Sequence, residues 1–290
     1  MSTRIGFVGL GTIGRPLAEN LVRAGLAPTV FDLTQAAVDG LDEQGATGAV
    51  SVVALAKASD VVGVCVPADA HVRQVLGGPD GLLANLRTGA VVAIHSTVAP
   101  ETIEWAAEAA APFDVGIVEA CLTGGPDGAA AGKTTFILGG EPDHIAALES
   151  LLAACGEVRV DAGALGKANL LKLCLNLQTY INHLGIAEAL AMAKALEVPV
   201  AGLEAAMRAN GQLSPFNEKF FGMHQLPLEI LNDENVLALR LPQQLIVAKD
   251  MDLMRTVAAE HEIDIAGLET AQSRFERSYL LPLPEKGTSA

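Results

Sequence analysis

The sequence is short of several things that would place it in other classes. It has four cysteines, Cys65, Cys121, Cys155 and Cys174, far apart, with no CxxC pair and no cluster of histidines near them. This argues against a disulfide framework and a zinc site and predicts buried thiols; no metal is expected. Basic residues are also scarce, with 19 Lys and Arg against 34 Asp and Glu and a formal net charge of -15. Nucleic acids and anionic membranes are recognised by basic surfaces, so neither is expected as a partner. No run approaches the ~18 uncharged apolar residues of a membrane span. The opening residues pass from Met1 into a strand too quickly for a signal peptide, and a cytoplasmic protein is expected. Aromatic residues make up only 4% of a chain that is half hydrophobic. A core rich in Ala, Val and Leu suits helices packed on a parallel sheet, and 290 residues are enough for two domains.

An acidic protein that binds an anion must use local devices, and one stands at the start. Arg4 to Val8 reads as a strand and runs into GLGTIG, that is Gly9, Leu10, Gly11, Thr12, Ile13 and Gly14, followed by an amphipathic helix through Leu17 and Leu21 to Gly25. In a GxGxxG turn the first glycine allows a tight bend, the second lets the backbone approach a pyrophosphate, and the third brings helix and strand together. The helix N-terminus supplies N–H groups and partial positive charge to the phosphates. The next strand, Thr29 to Phe31, ends in Asp32, 23 residues after Gly9. A carboxylate there accepts hydrogen bonds from a ribose diol and repels a 2'-phosphate, so NAD is expected rather than NADP. The competing role for Asp32 is a cap on the helix that starts near Thr34.

Strands and helices keep alternating. Val61 to Val66 is an apolar run closed by Pro67; Ala90 to Ile94 leads to His95, Ser96 and Thr97; Val115 to Ala120 leads to Cys121, Leu122 and Thr123. Unbroken apolar strands separated by helices predict a parallel sheet buried on both faces, whose ligands lie at the carboxyl ends of the strands. Val66, Pro67, Thr97 and Thr123 are therefore candidate contacts. GAAAGKT, from Gly128, is one residue too short between its glycines for a phosphate loop. Thr123, Gly124 and Gly125 instead offer a hydroxyl and unobstructed N–H groups that can cradle a carboxylate, or form an ordinary glycine turn. A helix over 142–154, a strand over 157–160 and a hinge over 161–163 close the first domain, expected as residues 1–162.

Gly163 to Leu196 contains no proline and carries an apolar stripe at helical spacing, Leu170, Leu173, Leu177, Ile181, Leu184 and Ala187. Beside it runs a polar line: Asn169, Lys172, Asn176, Thr179 or Tyr180, and His183. A water-facing line is the simple reading. The scarcity of other charges between Leu170 and Ile186 favours an enclosed lysine instead. Residues 163–290 are expected to be an all-helical domain for substrate and oligomerisation. Further helices are expected over 200–209, 232–248 and 252–259, with Pro215, Pro227 and Pro242 as breaks, before a polar tail over 281–290. His183, Asn210, Gln212, Phe216, Phe220 and His224 are weaker candidates for lining a pocket.

Four stretches in this order resemble the beta-hydroxyacid dehydrogenase family: GLGTIGRPLAENL its cofactor fingerprint, EACLTGGPDGAAAGKTTFILGG its substrate segment, GALGKANLLKLCLN its catalytic helix, and KDMDL from Lys249 its late cofactor segment. The resemblance implies a Rossmann-type domain joined by a long helix to an all-α domain. It also implies an NAD-dependent dehydrogenase acting on an alcohol beta to a carboxylate. Lys172 would move the proton, Asn176 would orient it or hold a substrate oxygen, Thr123, Gly124 and Gly125 would hold the carboxylate, and Lys249 would contact the cofactor. Three positions depart from the family pattern: Thr123 stands for serine, Ala168 for glycine, and Leu175 for the first of two asparagines. Imine reductases and non-catalytic relatives of this fold have lost the lysine, so Lys172 argues against both. A second apolar face on the long helix suggests a homodimer or homotetramer.

Overall fold

A computed structural model describes residues 3–281, so the expected tail beyond Leu281 lies outside the described residues. The chain divides into two compact units, Met1–Lys172 and Leu173–Ala290. In the first, the elements are β1 (Ile5–Val8), α1 (Gly14–Arg23), β2 (Thr29–Phe31), α2 (Gln35–Asp42), β3 (Thr47–Gly48), α3 (Val52–Lys57), β4 (Val61–Val64), α4 (Asp69–Leu76), β5 (Val91–Ile94), α5 (Pro100–Ala110), β6 (Gly116–Thr123), α6 (Gly125–Ala130), β7 (Thr135–Gly139), α7 (Pro142–Ala147), α8 (Glu149–Cys155) and β8 (Val158–Gly163). The long helix α9 (Lys167–Ala195) begins in this unit and continues into the next. There follow α10 (Val200–Ala209), α11 (Pro215–Met223), α12 (Leu228–Leu231), α13 (Glu234–Glu260), α14 (Ala266–Ser273) and α15 (Phe275–Ser278).

The sheet has the order β3-β2-β1-β4-β5-β6-β7-β8. Every residue of β1, β4 and β5 is buried, as expected of strands covered by helices on both faces and as their unbroken Val and Ile runs require. Leu17 and Leu21 of α1 pack on one face with Phe136, and Leu76 and Ile103 on the other. α1 stops at Gly25, whose φ of +74 suits glycine. The Gly25 amide donates to Val22 O and the Leu26 amide to Leu21 O, the paired bonds of a Schellman cap.

One register organises the ligand edge. Phe31 pairs with Val8, Val8 with Val64, Val64 with Ile94, Ile94 with Glu119, Glu119 with Gly139, and Gly139 with Gly163. This straight row crosses seven strands. Asp32, Gly9, Cys65 and His95 each follow it directly. β6 alone of the parallel strands continues past it, by four residues to Thr123, or roughly 13 Å at ~3.3 Å per residue. There it pairs with β7, and β7 with β8, forming a wall beyond the ends of the other strands.

Several expectations need correction. The sheet is not wholly parallel: TFILG forms β7, antiparallel to β6, in a stretch read only as a substrate segment. The strand expected over 157–160 runs to Gly163, so Gly163 is sheet and α9 starts at Lys167. The helix expected over 142–154 breaks at Leu148. The two helices expected over 232–259 are one, α13, which runs through Pro242 and through the buried pair Asp250 and Met251. An internal proline removes one backbone hydrogen bond, and the helix continues through it. The four cysteines are free, but Cys174 is exposed and Cys65 only half-buried, while Cys121 and Cys155 are buried as expected. Among the described residues no group of His, Cys, Asp and Glu could hold a metal, and no helix is long and apolar enough to cross a membrane.

Candidate functional site

The glycines of the first turn divide their work as their neighbours dictate. Gly9 has φ +94, and a Cβ on it would lie 2.3 Å from Cys65 O; a Cβ on Gly14 would lie 1.9 Å from Gly9 O. Both positions are closed by backbone, which cannot yield. Gly11 is different, because a Cβ there would meet nothing within 4 Å. That glycine is not required for packing and leaves an open approach to the loop. At Ile13, the N-cap of α1, no side chain bonds the helix start, so the amide groups and positive end of a ten-residue helix stand beside that opening.

Asp32 is not the cap of α2, whose N-cap is Thr34 with no side-chain bond; it closes the turn before that helix and still suits a ribose. Its Oδ1 accepts from Thr34 N at 2.7 Å and its Oδ2 from Leu10 N at 2.7 Å. Each oxygen keeps a second lone pair for a diol. The residues present therefore fit a dinucleotide with a free 2'-hydroxyl. Val66 is held by a residue the sequence reading did not single out: Ser96 Oγ accepts from Val66 N at 3.0 Å and donates to Val66 O at 2.6 Å. Ser96 thus clamps the end of β4, next to Pro67, to the end of β5, next to Thr97. A serine one residue before a strand-end threonine was the only available signal.

On the wall, Glu119, Cys121 and Thr123 share one face of β6 by strand alternation. Cys121 packs with Ala168 from the start of α9, so this face looks toward the long helix. Gly124 and Gly125 follow Thr123 with φ +118 and +66, conformations open to glycine. Asp127, at the place where a phosphate loop would need glycine, lies within α6.

The polar line of α9 is not a solvated face. Asn169, Asn176, Tyr180 and His183 are buried and Lys172 is half-buried, whereas Ile181 of the apolar stripe is exposed. Each buried member has a partner. Asn169 Oδ1 accepts from Val98 N at 2.9 Å, next to Thr97. In the second unit, Asp250 Oδ2 accepts from Asn176 Nδ2 at 2.8 Å and from Tyr180 Oη at 2.9 Å, and Lys249 Nζ lies 3.1 Å from Asp250 Oδ1. Asp250 is 2% exposed, and a carboxylate so enclosed needs this many partners. Burial, and then the charge of Asp250, pushes the Tyr180 phenol well above its ordinary range, so it remains a donor. The pairing of Asp250 with Asn176 across 74 residues left no trace in sequence spacing.

The weaker pocket candidates separate. His183 stacks on Phe220 with centroids 4.0 Å apart and shares a 2.7 Å hydrogen bond with Tyr279 Oη, while His224 Nε2 meets Ser278 O at 2.8 Å. These residues form core of the second unit. Asn210, Gln212 and Phe216 are exposed.

Comparison with known proteins bears on the family and the fold. A sequence model of the NAD binding domain of 6-phosphogluconate dehydrogenase matches residues 4–166. The chain is 41% identical over 190 residues to 3-hydroxyisobutyrate dehydrogenase of Pseudomonas aeruginosa, covering 66% of this chain and 64% of that one. It is 38% identical over 199 residues to NAD-dependent L-serine dehydrogenase of the same organism, covering 68% and 67%. The crystal structure of 3-hydroxyisobutyrate dehydrogenase from Salmonella typhimurium superposes with a TM-score of 0.80 at 24% identity, over 95% of this chain and 94% of that one, a likeness of fold.

Proposed function

The chain belongs to the beta-hydroxyacid dehydrogenase family, and from that we propose that it transfers hydride between NAD and a small 3-hydroxy acid or the corresponding semialdehyde. The relatives named for 3-hydroxyisobutyrate and L-serine make these two compounds the first substrates to try. When bound, the oxidised nicotinamide supplies the acceptor for hydrogen and two electrons from the carbinol carbon, and a positive charge that lowers the pKa of a nearby amine. Lys172 then takes the hydroxyl proton as the alcohol becomes a carbonyl, and returns it in the reverse direction. Asn176, one helical turn on, orients that amine or holds the substrate oxygen, itself fixed by Asp250. Thr123, Gly124 and Gly125 hold the carboxylate. Lys249 is retained as a cofactor contact on the strength of the resemblance.

The observation that carries the reading is the polar line on α9, an otherwise apolar stretch whose amides are buried on either side of a single half-buried lysine. Asp32 supports NAD over NADP, since each of its oxygens keeps a lone pair for a ribose hydroxyl and its charge repels a 2'-phosphate. Solvent-exposed Leu239 (73%) and Leu245 (70%) on α13 support a homodimer or homotetramer through the helical unit. We place the enzyme in the cytoplasm. The test is Lys172→Ala: turnover of 3-hydroxyisobutyrate or L-serine with NAD, followed by NADH absorbance, should fall by ~100-fold or more while NAD binding stays largely intact. Turnover near that of the wild type would refute the assignment.

A further inference from the structure

Glu119 takes no part in the chemistry just described, yet it has no exposed surface. Its carboxylate accepts from Gly166 N at 2.6 Å and Ala168 N at 3.3 Å through Oε2, and from Asn169 N at 2.9 Å and Asn169 Nδ2 at 2.8 Å through Oε1. Amides at the start of a helix have no partner within it. Here a strand residue some fifty positions earlier supplies the acceptor, and its negative charge meets the positive end of α9. Asn169 then passes the connection on, its Oδ1 accepting from Val98 N at 2.9 Å. One carboxylate and one amide thus tie together β6, the first turn of α9 and the loop after β5.

Room for this junction is built into the neighbouring strand. Gly139 faces Glu119 in the β6–β7 register, and a Cβ there would lie 2.8 Å from Glu119 Oε2. The junction also stands at the centre of the candidate residues. Lys172 is three residues beyond Asn169 on the same helix face, Thr97 precedes Val98, and Thr123 shares the face of β6 that carries Glu119.

We propose that Glu119 and Asn169 are a positioning couple that sets where Lys172 stands relative to Thr97 and Thr123. They touch neither substrate nor cofactor and act through Lys172, so the inference rests on the role given to Lys172 above. A carboxylate suits the task because it only accepts: four donors converge on it, and a glutamine amide would turn a donor toward some of them. A helix is stiff along its first turns, so loosening Asn169 moves the lysine one turn away. Misplacement by about 1 Å can cost on the order of 100-fold in rate.

The test is a cycle between Asn169→Ala and Lys172→Ala. Asn169→Ala removes the side-chain links to Glu119 and Val98 but keeps the three backbone bonds to Glu119. Amide exchange at Val98 should accelerate, kcat with 3-hydroxyisobutyrate or L-serine should fall roughly 10- to 100-fold, and the Kd for NAD should stay within about 2-fold. In the Lys172→Ala background the same substitution should cost nothing more, because a residue acting through Lys172 has nothing left to act on. Gly139→Ala, which crowds Glu119 from the opposite strand, should reproduce the kcat loss and serves where Asn169→Ala does not fold. The couple is wrong if kcat holds within about 2-fold while Val98 exchange accelerates, or if the two losses multiply as independent defects do. Loss of turnover in Lys172→Ala with none in Asn169→Ala or Gly139→Ala would remove this inference alone. Full turnover in Lys172→Ala would remove the catalytic reading and the couple with it.

Discussion

Lowering the pH from about 7.5 to about 5 should destabilise the fold through two histidines, in a range where ordinary carboxylates are still ionised. His95 is 3% exposed, packed between Phe7 and Phe136 with centroids 5.7 Å away, and its Nδ1 meets Ala120 O at 2.9 Å. Burial pushes its pKa down to about 4. His183 in the second unit is pushed down to about 4 as well, by burial first and then by His224. Both shifts lower the folded-state value, so the folded chain keeps these rings neutral while the unfolded chain takes up protons below about 6.5. Their contribution is complete above that value and is lost as the pH falls from 6.5 toward 4. The slope is about 1.4 kcal/mol per pH unit for each ring, so His95 alone removes roughly 3 kcal/mol by pH 4. Domains are commonly stable by only ~5–15 kcal/mol. Asp60 does not interfere, because its hydrogen bonds with Arg4 hold it well below the usual carboxylate range; its share is present above that range and lost only at still lower pH. Urea unfolding followed by the single tryptophan, Trp105, reads the half that contains His95. His95→Gln, which keeps an N–H donor but does not titrate there, should flatten the slope. Equal stability at both pH values, or an NMR titration of His95 centred near 6.5, would refute the argument.

Other outcomes follow from the same geometry. Asp32→Ser should improve use of NADP relative to NAD, and an unchanged preference would show that the ribose is read elsewhere. Gly11→Ala should leave the melting temperature unchanged and weaken NAD binding, since the added methyl enters open space above the loop. Gly14→Ala should damage both, at a cost on the order of 3 kcal/mol, because its Cβ would strike Gly9 O; calorimetry of the pair separates the two roles. Light scattering should give a mass of two or four chains, and a mass of one would overturn the oligomer.

Much of the first unit was legible because its signals are local. Val61 to Val64 and Val91 to Ile94 are unbroken apolar runs, and a strand buried on both faces needs no partner to identify it. Asp32 was found by its spacing from Gly9. β7 was missed because TFILG sits in a glycine-rich stretch and owes its pairing to Thr123 and Glu119 across a reversal of direction. Pro142 to Cys155 and Pro242 show the complementary error: a stretch with no internal proline or glycine breaks at Leu148, and a helix runs on through a proline. The polar line was visible as a pattern, but Glu119 and Asp250, which satisfy it, lie 50 and 74 positions from their asparagine partners. Hydrogen bonds over such separations are products of topology and leave no periodicity to read.

The extension of β6 past the common row has a bearing on how such a protein could change its diet. Residues that grip a substrate often sit on loops, which diversify by gaining or losing length. Here Thr123 belongs to the hydrogen-bonded ladder that β6 forms with β7, so an inserted residue would turn every later side chain to the opposite face. Replacement in place is the easier road, one side chain at a time at alternate positions.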